Sequence, residues 1–530
     1  MTELRRRAFL GAAALLGGCA RPDDWRTRVA GRWVGDDAAL GHRVRDAAAH
    51  PPPPARERRC DVLVVGGGIA GLAAARALAA ADVDDFAVLE LESEAGGNSR
   101  GWRMRGLGCP LGAHYLPLPG PAADDIRDWL VGLGLARRGA AGLEWDERQL
   151  CHSPQERLFI DGRWQEGLLP AAAPDSPTQA QYRLLARRVA EVGRAGFALP
   201  TARAPWTPAH AALDAVTFDA WLDAQGLADR RLRTYLDYCC RDDYGAGSGV
   251  VSAWAGLHYF ASRHGFRAPG EGDDERDAVL TWPDGNAPLA RALRAPLGER
   301  VAPGRAVFRV EAGEREVQAW AFAGDAVERW TARHVVLATP LFIAARVLRA
   351  PPPALAEVAR TQRHAPWLVA NLLLDRPPLD RVGAPPSWDN VIHGSPSLGY
   401  VDARHQERGL DGLAGPRLVT VYWALPDGAR RELLTLSWQD ATQRILDDLH
   451  VVHPDLGERL LQVDLARHGH AMAIPVPGMR SSAALAALPD SLPRASFAHA
   501  DLSAYSVFEE AFTRGDAAGR RAARLVRAKR

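Results

Sequence analysis

Apolar runs with β-branched residues alternate along the chain with alanine- and leucine-rich stretches of helical period. Residues 62–65 (VLVV) read as a buried strand, 72–81 as a helix and 86–90 as a second strand. Helical patterns recur at 178–195, 218–225, 230–240, 252–263 and 438–450, and a capped helix is predicted from Ser506 towards Ala528, with Ser506 and Glu509 at capping-box spacing. Strand patterns fall at 158–160 and 163–165 around an Asp-Gly turn, in a meander at 305–310, 316–322 and 327–331, and near 368–374 and 418–423. Strand, helix and strand in succession predict an α/β fold with a parallel sheet.

The turn between the first strand and helix is GGGIAG, so Gly66, Gly68 and Gly71 stand in the spacing GxGxxG. The first glycine permits a tight turn and the second lets a pyrophosphate approach the backbone. The third lets helix and strand pack, leaving the phosphate at the positive helix end beside Ile69 and Ala70. Glu90 closes the second strand about 20 residues on, where a carboxylate accepts hydrogen bonds from both hydroxyls of an adenosine ribose. Gly96 and Gly97 supply a second flexible backbone pass near the same phosphates. These features together predict dinucleotide binding, which no single one of them would carry.

Composition narrows the class further. With 530 residues, two domains are expected. The 65 basic and 64 acidic side chains nearly cancel, which gives no reason to expect nucleic acid. Six cysteines show no CxxC spacing and no accompanying histidine pattern, so no metal is predicted, and buried free thiols are expected after Cys19. The N-terminus differs in kind. Arg6-Arg7-Ala8-Phe9-Leu10 resembles a twin-arginine export signal, and Leu16-Gly17-Gly18-Cys19 resembles a bacterial lipobox. That reading implies export of the folded protein to the periplasmic side of a membrane and anchorage to its surface through a lipidated Cys19. Residues 20–59, with prolines at 51–54, read as a semi-rigid spacer; the alternative is that Trp25 and Trp33 pack onto the body.

Beyond Glu90, the run VLELESEAGGNSR (88–100) followed by CPLGAHYLPLP (109–119) resembles the FAD-binding signature of the flavin-containing amine oxidase superfamily. HVVLATP (334–340), TWPDGN (281–286) and SFAHADLSAYSVFEEAFTRGDAAG (496–519) resemble later segments of that family. The resemblance implies non-covalent FAD in a Rossmann-like domain of the two-dinucleotide-binding type, with an interleaved α+β substrate domain. Its segments place the cofactor domain at 60–120, 281–345 and 465–530, and the substrate domain at 121–280 and 346–464.

By the same resemblance, Asn98, Ser99 and Arg100 lie near the phosphates, Gly112 and Ala113 pass the flavin ring, and His114 and Tyr115 face the substrate. Val307 contacts the adenine, Ala338 and Thr339 return to the cofactor, Asp501 meets the flavin side chain, and Ser506 and Val507 lead the helix beneath the ring.

The chain departs from the family pattern at several positions. Its single lysine is Lys529, whereas the strand that carries the family's flavin-facing lysine reads Leu368-Val369-Ala370-Asn371. Val507 stands where an aromatic cage residue is common, Glu510 replaces a nearby glycine, Asn98 the phosphate arginine, and Pro110 an acid. The implied activity is hydride transfer from an amine, including a polyamine drawn by the acidic loop 270–277, unless that loop is a solvated turn. Desaturation or isomerisation of an apolar small molecule, or FAD binding without turnover, are the alternatives. If the lipobox operates, Cys19→Ala moves the protein from the membrane to the soluble fraction; unchanged sedimentation with membranes refutes it.

Overall fold

Arg56–Val65, Phe86–Leu89 and Val301–Ala302 lie side by side in parallel, and Ala326–Leu337 and then Ala495–Phe497 extend the parallel set on the other side. This computed structural model describes residues 25–47, 52–140, 142–269, 278–407 and 415–528. The export motif, Cys19, the acidic loop and Lys529 lie outside them. Val62, Leu63 and Val64 are fully buried, as a strand covered on both faces requires. Helix Ile69–Ala80 begins directly after Gly68, earlier than periodicity alone predicts.

Val317–Ala323 and Arg305–Ala312 extend the sheet antiparallel from the first half of Ala326–Leu337. That strand does not stop at residue 331. It pairs along its length with Arg56–Val65, which also draws residues 56–59 into the sheet. The spacer reading is corrected here.

A second, mixed sheet has the order Ala30–Trp33, Leu460–Ile474, Arg363–Leu374, Arg417–Ala424, Tyr400–Asp402, Asp389–Ile392, Glu156–Ile160 and Arg163–Glu166. Helices Pro177–Gly193, Phe218–Ala224, Arg230–Tyr244 and Ala253–Ala261 pack against it, close to the predicted spans. Leu460–Ile474 belongs wholly to this sheet, so the crossing back to the first sheet falls after Ile474 rather than at 465. Trp25 is buried edge-on against Trp438, 5.7 Å between centroids, so the N-terminal segment does pack onto the body.

The C-terminal helix, Phe508–Arg527, lies along Ile69–Ala80. It is not opened by the predicted capping box. Its N-cap is Val507, and Ser506 Oγ instead accepts the Ala473 amide at 2.9 Å. Glu510 accepts from Thr201 N–H and from Ser503 Oγ, tying this helix to the loop before Pro208–Asp214. The short helix Leu456–Arg459 leads into Leu460–Ile474. All five described cysteines are free thiols.

Candidate active site

A cavity of about 530 Å³ opens where the parallel strands end. Four of the five parallel strands deliver a lining residue past their carboxyl ends: Gly66 after Arg56–Val65, Glu90 after Phe86–Leu89, Ala338 and Thr339 after Ala326–Leu337, and Asp501 beyond Ala495–Phe497. This is the edge at which open α/β sheets bind ligands. Gly66 has φ +102°, and a β-carbon there would stand 2.6 Å from the Ala338 carbonyl oxygen.

Two carboxyls mark this end of the cavity. Glu90 accepts the Gly67 amide at 2.6 Å and the Glu92 amide at 2.8 Å, yet burial still raises its pKa. Asp501 is also buried, which alone would raise it. His499 and His364 outweigh that effect and hold the carboxyl well below the usual range, and the Leu341 amide donates to it at 2.9 Å.

At the opposite end, His114 stacks on Tyr422, 4.2 Å between centroids at 26°, and meets Tyr115 edge-on at 4.8 Å. Trp388 closes the cluster at 5.6 Å from His114. Burial pushes the His114 imidazole down to about 3 and the Tyr115 phenol up, so both are neutral at pH 7. Tyr115 donates to Asp242 Oδ2 at 3.3 Å. Burial and then the neighbouring Asp243 push the Asp242 carboxyl up to about 7. Asp243 is neutralised by Arg263 at 3.1 Å and accepts the Tyr505 hydroxyl at 2.8 Å. Burial also lifts Glu509, at the head of the C-terminal helix, to about 7.

The cavity brings together Gly66, Gly68, Ile69, Ala70, Glu90, Gly96, Gly97, Asn98 and Ser99 from the first predicted segment. It adds Gly112, Ala113, His114, Tyr115, Val307, Ala338, Thr339, Asp501, Ser506 and Val507 from the later ones. Gly71 and Arg100 do not line it. A β-carbon on Gly71 would lie 1.9 Å from the Gly66 oxygen, so this glycine serves helix packing. Arg100 is turned away from the phosphate edge and donates to Gly35 O at 2.6 Å, Asp36 at 3.2 Å and Gly97 O at 3.1 Å. Asn98 does not stand in for the arginine; its amide donates to Ala471 O at 3.0 Å.

Sequence reading missed Asp242, Arg263, Trp367, Tyr422 and Glu509, which also line the cavity. Alternation along Arg363–Leu374 turns Trp367 and Val369 into the cavity, so apolar side chains occupy the face on which the family resemblance places a lysine. Asn371 is buried elsewhere, donating to Pro110 O at 3.0 Å and accepting from Thr420 at 2.7 Å. Among the described residues no group of three or more His, Cys, Asp or Glu is placed to hold a metal ion.

The family model for flavin containing amine oxidoreductase matches residues 69–527. The chain belongs to this family. It is an FAD-dependent oxidoreductase of the amine oxidase type. An L-amino acid dehydrogenase from Synechocystis sp. is 24% identical over 329 residues, 60% of this chain and 64% of that relative, so the match spans less than two thirds of the relative's length. The fold is similar to that of putrescine oxidase in a structure bound to putrescine, with TM-score 0.66 and 18% identity over 89% of this chain and all of that one. Cyclohexylamine oxidase from Brevibacterium oxydans has TM-score 0.65 and 18% identity over 90% of this chain and all of that one.

The residues present fit a flavin dinucleotide. A β-carbon at Gly68 would meet nothing nearer than Gly97 Cα at 3.8 Å, so the two glycine passes leave a cradle that any side chain would fill. Thr339 Oγ1 and Asn286 Oδ1 reach the cavity wall without a partner in the protein.

Two outcomes are expected. Glu90→Ala lowers FAD occupancy while leaving the fold, read as the ratio of visible to protein absorbance; unchanged flavin content refutes the ribose contact. For Asp242, a carboxyl ordinarily near 3.8 titrates near 7 when folded, so the folded state holds more protons between those values and stability falls as pH rises through that window. Asp242→Asn removes this loss, and its melting temperature pulls ahead of the wild type from pH 4 to 7 and then stays level. The gain is up to about 4 kcal/mol; parallel pH profiles refute the assignment.

Proposed function

We propose that this enzyme oxidises a cationic amine in which the carbon beside nitrogen carries the transferable hydride. The carrying observation is Asp242: a deeply placed carboxyl on an aromatic-walled cavity, with Arg263 engaged by the adjacent Asp243. A carboxylate among His114, Tyr115 and Tyr422 suits an ammonium, which gains both the charge and the ring faces.

Glu90 and Val307 would hold the cofactor's adenosine end, the glycine turn and Asp501 its middle, and the Gly112-Ala113 backbone and the Val507 helix end its flavin. It is held without a covalent bond; none of the described cysteines lines the cavity. When bound, the flavin supplies the acceptor for the hydride.

The side chains divide the remaining work. Asp242 anchors the ammonium, and a carboxyl poised near 7 takes the proton that the amine must lose before its carbon–nitrogen bond gains double-bond character. Neutral His114 takes no proton and serves with Tyr422 as a flat wall. Val369 and Trp367 exclude water where other family members carry a lysine. The imine product leaves and hydrolyses in water.

A second reading, oxidation of an L-amino acid, is favoured by Arg263 on the cavity wall, a guanidinium able to meet a substrate carboxylate, and by the Synechocystis relative. We further place the enzyme on the periplasmic face of a membrane, tethered through Cys19.

Anaerobic mixing with mono-, di- and polyamines and L-amino acids, followed at the visible flavin bands, tests these readings. Bleaching by an amine class is expected, with the half-saturating concentration rising as pH falls below about 7 and at least tenfold higher in Asp242→Asn. Bleaching by L-amino acids alone selects the second reading, and a flavoprotein reduced by neither refutes both.

A further inference from the structure

Residues 25–47 lie ahead of the family match, which begins at residue 69. They form a strap that joins the two sheets. At its near end, Trp25 is buried beside Trp438, Arg28 donates to Leu460 O at 2.7 Å and Gly457 O at 2.8 Å, and Ala30–Trp33 pairs in parallel with the edge strand Leu460–Ile474. A β-carbon on Gly31 would fall 2.0 Å from Val463 O, so this strand lies tight against the body.

The far end crosses the cofactor cavity. Gly35, with φ +99°, turns the chain, and the turn is gripped by Arg100 through Gly35 O and Asp36. The Asp37 amide donates to the Glu92 carboxylate at 3.2 Å, and Asp37 Oδ1 accepts the Leu40 amide at 2.8 Å, opening helix Ala38–Ala47. Gly41 and Val44 of that helix line the cavity beside Glu90, Leu91, Glu92 and Val307, and Val44 is buried in one apolar cluster with Leu89 and Val307. Arg43 lies over the Phe322 ring at 4.3 Å.

The geometry points to the strap as a latch over the adenosine end of the dinucleotide site, closed by Arg100 and Glu92 and opened for cofactor exchange. Arg100, the residue that sequence assigns to phosphate, is a positioning residue for this latch. The near end is fastened by strand pairing and a buried tryptophan, whereas the far end rests on a ten-residue helix with Val44 buried, the Arg43–Phe322 stack and a few polar contacts. Isolated helices this short are marginal, so the far end is the part that opens. An adenosine beneath Val44 would in turn give the helix an apolar surface to pack on. The inference rests on the cofactor placement proposed above.

The test is the rate at which full-length, FAD-loaded protein loses flavin to a large excess of an apo-flavoprotein trap. In the double variant Asp37→Ala/Arg43→Ala, whose substituted residues line neither the cavity nor the reacting end, dissociation is expected to accelerate about tenfold or more. The visible spectrum of the loaded protein should not change. Dissociation within twofold of the wild type overturns the latch. Wild-type hydrogen exchange gives a second readout that needs no variant. Amides of residues 40–44 are expected to slow on FAD binding, with those of Ala30–Trp33 unchanged; equal exchange at 40–44 with and without FAD also overturns it. A protein that binds no flavin refutes the cofactor placement instead, so the two failures are distinguishable.

Discussion

Helix Ile69–Ala80 is held by main-chain contact on both faces, and that contact fixes where the cavity lies. On one face, Gly71 brings the helix against the Gly66 carbonyl of the strand it follows. On the other, Gly515 and Gly519 let the C-terminal helix approach so closely that β-carbons would stand 2.1 Å from Ala70 O and 2.3 Å from Ala74 O. A methyl group at any of the three would drive backbone from backbone, since packed interiors have no room to absorb it. The helix is therefore seated directly against the strand ends that lead to Gly66 and Ala338. The same approach carries Val507 and Glu509 to the cavity from residues distant in sequence.

Charge is distributed along the cavity in a graded way. At the sheet end Asp501 is ionised, because two imidazoles and a backbone amide outweigh its burial. At the far end burial lifts Asp242 and Glu509 to about 7; against it stand chiefly the Tyr115 phenol for Asp242, a backbone amide for Glu509, and for both the Arg263 guanidinium already paired with Asp243. The first carboxylate is a fixed charge. The other two respond to what enters, since a cation beside them restores the ionised form that burial disfavours.

What could be read from the sequence follows from how local each cause is. The glycine turn, Glu90, the second glycine pass and HVVLATP are each confined to a few residues whose backbone does the work, and nearly all of these residues line the cavity. Asp242 was illegible because Arg241-Asp242-Asp243 at the end of an amphipathic helix has the pattern of a solvated charged turn; its partner Tyr115 comes from an element far away in the chain. Ser506 was misread for a related reason. Its spacing to Glu509 fits a capping box, but a competing amide, Ala473 N–H, arrives from the second sheet and takes the hydroxyl. The strap was hidden by its composition, since polar, alanine-rich sequence beside four prolines carries no periodicity strong enough to announce a parallel edge strand.

Loss of the family's lysine and recruitment of the strap bear on the same economy of charge. With Asn98 engaged by Ala471 and Arg100 by the Gly35 turn, no arginine from the second glycine pass reaches the phosphate edge, and the strand opposite offers Val369 instead of an ammonium. In the placement proposed above, a dinucleotide would be held by main-chain amides at the Ile69–Ala80 N-terminus, by Glu90 at the ribose and by enclosure, with Arg305 on the wall beside Val307 already paired with Glu328. Main-chain amides give direction and little net attraction once water competes for them. Enclosure adds to those contacts: excluding water strengthens each hydrogen bond and slows escape. A strap whose apolar Val44 closes over the adenosine end, held by the very arginine that has left the phosphate, supplies that enclosure.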